Sequence, residues 1–575
     1  MKTSSHGLLL LVFSICIFGQ TFGQDSFAWL DLPASDNLEW VDCNSGFQCA
    51  NLKVPLNYSS PDNETVVLAI IQYPSPLPVN STDYKGPLLF NPGGPGGSGV
   101  DYVLEQGVHY SQMFQDQYDI VGFDPRGVAR STRVSFYETG AERALWGYEI
   151  LVELLGRPDG IENAWAQAAI TGQLADERNT GILEHINTDQ TARDMLKITE
   201  AYGRQKLQYW GFSYGTVLGV TFASLFPDKI ERMVLDGVVD TENYYATLWS
   251  DNLLDSNKTL QTFFDGCFQA GPDGCPFYAS SPDAIKQNLD NLYNTIRARP
   301  LPVRLSTGYG VVDYARLRYA VFSSLYIPQS IYLTLAQGLS DLAQGNGEVI
   351  FNMTNHPQFE CSCDDPSALL TSSVQDSMIA IICNDGLPVP RDVESAEEYY
   401  ADLSAQFEWA SIWTGVRIGC SGWPDYPKTN FRGENASAGP FTANTSYPIL
   451  FVGNTADPVA PLAAAKKIAS GFDGAVVLTQ DSPGHCSIAA NSPCTQGYIR
   501  DYFVNGTLPD LDTICPIVGT LFDNTTTPGP LRRGLYGAHP EERFLEAVRR
   551  ISHSARIPTT PLSLVPNTGC ASLGR

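Results

Sequence analysis

Leu207-Gln208-Tyr209-Trp210-Gly211-Phe212-Ser213-Tyr214-Gly215-Thr216-Val217-Leu218-Gly219-Val220-Thr221-Phe222 passes from a short apolar run into a helical one across a turn flanked by two glycines. Leu207 to Trp210 reads as a buried strand, and Thr216 to Phe226 as a helix that stops before Pro227. A strand that turns sharply into a helix within Gly-x-Ser-x-Gly presents the serine hydroxyl above the sheet, at a helix N-terminus. Ser213 is therefore the expected nucleophile. The motif arises by chance in long chains, and it is the strand before and the helix after that give it meaning here.

Working outward, strands and helices alternate. Thr65 to Tyr73, Gly86 to Phe90, Tyr118 to Phe123 and Ile230 to Leu235 read as strands. Asn187 to Tyr202 reads as a helix capped by Thr188 and stopped by Gly203, with Ala192, Met195, Leu196 and Thr199 on one face. Strands separated by helices predict a parallel sheet, hence an α/β fold. The rhythm stops near residue 245. Residues 246–440 carry helical spacing, as in Tyr314 to Leu342, and read as a helical lid or insertion. Strand signals return at Tyr447 to Val452 and Ala475 to Thr479, with a helix at Pro461 to Ser470 between them. The expected organisation is a leader at 1–23, core at 24–245, lid at 246–440, core again at 441–515 and an extension at 516–575. Pro540 to Ile551 is the extension's clear helical candidate.

A serine hydroxyl needs a base. Where the nucleophile sits on such a turn, the chain order is serine, acid, histidine. His485, in Ser482-Pro483-Gly484-His485, is the histidine that both follows Ser213 and succeeds a strand. The acid belongs at the end of the preceding strand, which selects Asp457 in Gly453-Asn454-Thr455-Ala456-Asp457-Pro458. Asp236, ending the strand after the nucleophile helix, is the competitor. Asn91-Pro92-Gly93-Gly94-Pro95-Gly96-Gly97-Ser98-Gly99 follows a strand and can bring backbone N–H groups to a reacting carbonyl. Gly94 and the N–H of Tyr214 are the expected oxyanion donors. The rival reading of this loop as a phosphate cradle lacks the Lys and Ser/Thr of a P-loop and the dinucleotide spacing.

Asn91-Pro92-Gly93-Gly94-Pro95-Gly96, Gly122-Phe123-Asp124-Pro125-Arg126-Gly127, Gly211-Phe212-Ser213-Tyr214-Gly215-Thr216 and Val234-Leu235-Asp236-Gly237 together resemble the secreted tripeptidyl aminopeptidase family. That family is related to proline iminopeptidases and belongs to the α/β-hydrolases. From Tyr447 through Asp457 to Gly506-Thr507-Leu508-Pro509 and Cys515 the chain resembles the family's C-terminal domain. The resemblance covers roughly residues 40–520. It implies a serine exopeptidase acting on a free N-terminus, with Ser213, Asp457 and His485 as its triad. The family often has Asp-Pro-Val-Thr-Pro after the acid strand. Here Asp457-Pro458-Val459-Ala460-Pro461 lacks the threonine, which bears on the tuning of the acid loop rather than on the acid. Asp124 and Arg126 are read as structural support. A carboxylesterase or lipase-like hydrolase and a catalytically silent binding protein are the alternatives.

The compartment is legible separately. Lys2, the apolar run Leu8 to Phe18, and Thr21 and Gly23 before the expected cleavage point read as a secretory signal peptide, too short to span a membrane. Nine Asn-x-Ser/Thr sequons follow, at Asn57, Asn63, Asn80, Asn257, Asn352, Asn435, Asn444, Asn505 and Asn524. Thirteen cysteines become twelve once Cys16 leaves, an even number that suggests disulfides rather than a metal site. Cys43 with Cys49, Cys267 with Cys275, Cys383 with Cys420 and Cys494 with Cys515 are the expected pairs. Cys361, Cys363, Cys486 and Cys570 stay open. A net charge of −26 argues against nucleic acid and anionic membrane surfaces as partners. No cofactor, metal or membrane anchor is expected, and the oligomeric state is open. The substrate is a peptide or a small ester. A substrate ammonium would call for a lid carboxylate, with Asp364, Asp365, Glu394 and Glu397 among the candidates.

Overall fold

The computed structural model describes residues 27–555 apart from 62–63, 140–141, 144–145, 147–153, 155–157, 307, 355–373, 427–439 and 523–538. The expected signal peptide, Cys361, Cys363, Cys570, Asp364, Asp365 and the sequons at Asn63, Asn435 and Asn524 lie outside the described residues. Of the other sequon asparagines, Asn57 is half-buried; Asn80, Asn257, Asn352, Asn444 and Asn505 are exposed.

Nine strands make the body of one sheet: β1 (Gln48–Pro55), β2 (Thr65–Tyr73), β3 (Gly86–Asn91), β4 (Tyr118–Phe123), β5 (Leu207–Phe212), β6 (Ile230–Asp236), β7 (Leu450–Ala456), β8 (Val476–Pro483) and β9 (Ile514–Pro516). Two-residue strands at Ala34–Ser35 and Val41–Asp42 flank β1. The order is β1-β2-β4-β3-β5-β6-β7-β8-β9, antiparallel at β1–β2 and β2–β4 and parallel from β4 to β9. This is a mostly parallel α/β-hydrolase sheet, as the alternating pattern predicts. β1 and β9 carried weaker sequence signals and are added by the structure.

Each central strand is apolar on both faces because helices cover both. Leu89, Tyr209, Met233, Leu235 and Phe451 enter one core, and Phe90, Trp210, Phe212, Val234 and Val452 the other. The second core is strongly aromatic. Trp210 stacks on Phe212 with centroids 5.1 Å apart and meets Tyr110 edge-on at 5.3 Å. The C-terminal helix Pro540–Ser554 closes this side, burying Phe544, Val548 and Ile551 against helix Gly99–Met113. Gln106 Nε2 donates to Ser554 Oγ at 2.8 Å across that contact.

Local details differ from expectation where a tertiary partner outbids a local one. Helix Thr188–Ala201 is capped by Asn187, whose side chain accepts from Gln190 N. Thr188 instead donates through N and Oγ1 to the buried carboxylate of Asp385. The segment between the two halves of the sheet is mainly helical, as expected, and includes helices Ser256–Gly274, Pro282–Ala298 and Pro328–Ala343. It also contains a small antiparallel hairpin, Leu301–Arg304 with Tyr309–Val312. Four disulfides join the four pairs expected from spacing. Cys486 is a free, buried thiol.

The Asp124 and Arg126 loop is tied down beside the sheet. Arg126 forks onto Asp194 at 2.8 and 2.7 Å, and Tyr58 O–H donates to the same carboxylate at 2.9 Å. Both charged partners are fully buried. Breaking such a pair from one side costs about 3–5 kcal/mol, because the other charge stays buried. Asp124 accepts from Ser98 Oγ, Val100 N and Arg130 N. It thereby pins the start of the helix that follows the glycine loop.

Candidate active site

In open α/β sheets, ligands bind beyond the carboxyl ends of strands, where the strand order reverses. Here that point lies between β3 and β5. The glycine loop leaves β3 there, and Ser213 follows β5 directly. Ser213 has φ 57° and ψ −122°, a conformation that side-chain-bearing residues rarely adopt. The turn tolerates it because its neighbours are held. Ser213 N donates to Asp236 O at 3.0 Å, and Thr216 Oγ1 donates to Ser213 O at 2.6 Å. A Cβ at Gly211 would lie 2.4 Å from Gly215 O, so the turn requires glycine there. Gly93, at φ +93°, leaves no room either: a Cβ would meet Phe212 O at 2.5 Å. Glycine at 93 thus lets the β3 loop lie against the serine turn. Gly93 N donates to Asn91 Oδ1 at 2.9 Å, and Gly94 and Tyr214 both line the pocket beside Ser213.

His485 is delivered by the turn after β8. Its ring is 8% exposed, and Nδ1 lies 3.0 and 2.9 Å from the two carboxylate oxygens of Asp457. A ring nitrogen facing a carboxylate carries the proton, which leaves Nε2 as the basic nitrogen. Asp457 is fully buried and also accepts from Val459 N, Ala460 N and Cys486 N. Backbone amides thus satisfy the carboxylate on one side and the imidazole on the other. The lid supplies the rest of the histidine's frame. His485 N donates to Tyr326 O at 2.8 Å, and the Tyr326 ring meets the imidazole edge-on at 5.4 Å.

Asp236, the competing acid, faces elsewhere. It accepts from Ser487 N at 2.8 Å and Ser487 Oγ at 2.5 Å, two residues beyond the histidine. The two carboxylates therefore hold consecutive parts of one loop. Burial pushes the Asp236 carboxyl up to about 6, while hydrogen bonds from Ser487 act in the opposite direction. An acid with a folded-state pKa above its ordinary 3.8 binds its proton more tightly when folded. Its stabilising contribution is complete below about pH 4 and is lost as pH rises through about 6, on the order of 3 kcal/mol in all. Asp236→Asn removes this titration. Its Tm should gain on wild type between pH 4 and pH 7 in thermal unfolding, and a pH-independent difference would contradict the linkage.

Ser213 and His485 line one pocket of about 780 Å³, open solvent at its mouth included. Its walls are mainly aromatic: Tyr102, Tyr214, Tyr244, Trp249, Tyr326 and Trp413. The last four come from the inserted segment and its approach, where the sequence carries no motif to single them out. No carboxylate lines the pocket among the described residues. Glu394 and Glu397 are exposed on helix Val393–Ser404. The nearest acid on this wall, Asp385, sits behind it and accepts from Tyr244 O–H at 2.7 Å.

With this geometry the comparisons agree. Residues 405–515 match the family described as TAP-like protein. The chain carries a TAP-like domain on an α/β-hydrolase fold. It is 29% identical over 500 residues to the protein named serine protease Hip1 of Mycobacterium tuberculosis, covering 83% of this chain and 91% of that one. It is 26% identical over 502 residues to the tripeptidyl aminopeptidase of Streptomyces lividans, covering 84% and 87%. A protein named carboxylesterase B of Mycobacterium tuberculosis is 28% identical over 483 residues, covering 81% and 86%. The TAP-like match spans the strand, acid loop and histidine turn from Leu450 to Cys515, and also reaches back into the lid. Among the described residues, no helix is long and apolar enough to cross a membrane.

Proposed function

We propose that the protein is a secreted serine exopeptidase that releases tripeptides or single amino acids from free N-termini through Ser213, His485 and Asp457. The observation that carries this is the His485–Asp457 pair at 2.9 Å in the pocket that Ser213 lines. Homology to serine peptidases over more than four-fifths of the chain supports the peptide bond as its target.

Ser213 Oγ attacks the scissile carbonyl carbon while His485 Nε2 takes its proton. Asp457 stabilises the resulting imidazolium through Nδ1. The negative oxygen of the tetrahedral intermediate is held by the N–H groups of Gly94 and Tyr214. Collapse expels the amine, which receives its proton from His485, and leaves an acyl-enzyme. Water, deprotonated by His485, then releases the acid. In this reading residues 246–440 form the lid that selects the substrate, and the C-terminal extension packs on the core. The exposed sequons and the disulfides fit an oxidising, glycosylating export route.

Recognition of a free N-terminus is testable with a matched pair of tripeptide amides, one free and one Nα-acetylated, at equal pH and salt. The free amine should be favoured in kcat/KM by roughly 10- to 100-fold, since a hydrogen bond to a charged group contributes about 1.5–3 kcal/mol. Equal rates would reject N-terminal recognition. Equal rates with faster turnover of short esters would favour the esterase reading, for which carboxylesterase B is the relevant relative.

A further inference from the structure

The pocket wall opposite the glycine loop holds three buried polar groups without partners. Asn252 is 3% exposed, lines the pocket and donates through Nδ2 to Val459 O at 2.8 Å. Its Oδ1 has no hydrogen-bond partner among the described residues. Trp249 and Trp413 line the same pocket at 4% and 5% exposure. Neither indole Nε1–H has a partner among the described residues. Buried polar groups in folded proteins are almost always satisfied, and exceptions cluster where a ligand completes them.

This wall is built rather than incidental. Trp249 and Trp413 stack with centroids 5.2 Å apart and planes 4° from parallel, and Tyr244 packs edge-on against Trp249 at 5.1 Å. Trp249 adopts φ 60°, a left-handed conformation costly for so bulky a residue, and Thr247 does the same at φ 57°. The chain accepts two unfavourable backbone positions in the turn that brings Trp249 and Asn252 to the pocket. Tyr214 and Tyr244 do not compete for the open groups. Their hydroxyls bond to Thr188 Oγ1 and Asp385 Oδ2 behind the wall.

One acceptor and two donors, set in aromatic surface, match the alternating N–H and C=O groups of a peptide backbone. An ester of a simple acyl chain offers no N–H to Asn252 Oδ1. We infer that Asn252, with the indoles of Trp249 and Trp413, is the peptide-recognition wall of this pocket. Asn252 Oδ1 accepts a nitrogen-borne hydrogen from the acyl part of the substrate, and the indole N–H groups donate to its carbonyls. The aromatic faces then favour apolar side chains. Specificity for peptides over esters comes from this neutral pair of functions and not from a lid carboxylate.

The inference rests on the peptidase reading, and the two can fail separately. Asn252→Leu keeps the volume and removes both amide functions. The quantity to measure is the ratio of kcat/KM for a free tripeptide amide to kcat/KM for a short-chain ester without N–H. That ratio should fall about 10- to 100-fold, as expected when a site built to bond a substrate N–H loses its acceptor. Loss of the Asn252–Val459 bond alone would disturb the Asp457 loop and lower both rates together, so an unmoved ratio overturns the inference. Trp413→Phe keeps most of the ring and removes one donor. It should lower the ratio about 3- to 10-fold, and an unmoved ratio there, if Asn252→Leu does not fold, overturns the inference equally. The acetylated tripeptide amide separates the two sources of hydrogen. A fall confined to the free amine assigns the terminal ammonium to Asn252, and a fall on both peptides assigns an internal amide N–H. A wild-type enzyme that turns over no peptide rejects the inference together with the peptidase reading.

Discussion

Ser213→Ala is expected to lower kcat on peptide amides by about 10⁵- to 10⁶-fold, the scale seen when the nucleophile of a serine protease is removed. Binding and the oxyanion donors would supply the residual rate. The fold should not notice. The structural work at this position is done by the backbone, through Ser213 N to Asp236 O and Ser213 O to Thr216. The side chain does not cap the helix it precedes. A fluorophosphonate probe should label the wild type at Ser213 and leave the variant unlabelled, with both showing the same thermal midpoint. Retention of more than about a hundredth of wild-type kcat would point to another nucleophile.

Asp457→Asn is expected to cost about 10⁴ in kcat, because an amide there can no longer impose the tautomer with the proton on Nδ1. The ring would turn a protonated nitrogen toward Ser213. Asp236→Asn should cost far less, within about tenfold, because its carboxylate is committed to Ser487. An asparagine can still accept from Ser487 N there. Steady-state kinetics of the two variants on one substrate decides the matter, and the reverse ranking would move the acid to β6. The pair is informative because both carboxylates are fully buried and both hold the same loop.

The core was legible because its signals are local. The turn at Ser213 is written in five residues, since only glycine at 211 admits the approach of Gly215 O. The sheet is written in short apolar runs, since β3, β5, β6 and β7 are covered on both sides. The order of Ser213, Asp457 and His485 follows from which strand each one ends. Even the disulfides followed spacing. The lid was different. Its helices were visible as periodicity, but nothing local distinguishes a lid residue that packs from one that faces substrate. Asn252 lies in a one-turn helix with no motif, and Trp413 is one tryptophan among nine.

The choice between two acids shows the same division. From the sequence, Asp236 and Asp457 each end a strand after the nucleophile, and either could serve. Which carboxylate faces the imidazole depends on how the turn after β8 folds across the sheet, so that His485 meets Asp457 and Ser487 meets Asp236. The candidate acids for a substrate amine, by contrast, were read from composition alone, and the pocket presents neutral amide and indole groups instead. By itself, the sequence determined the sheet, the serine turn, the glycine loop and the disulfide pairs. Each depends on residues near in the chain or on a strand's burial on both faces. Only the tertiary structure decided which acid pairs with the histidine and which lid groups are left without partners in the pocket. Those outcomes depend on contacts between segments tens to hundreds of residues apart, whose geometry no local pattern encodes.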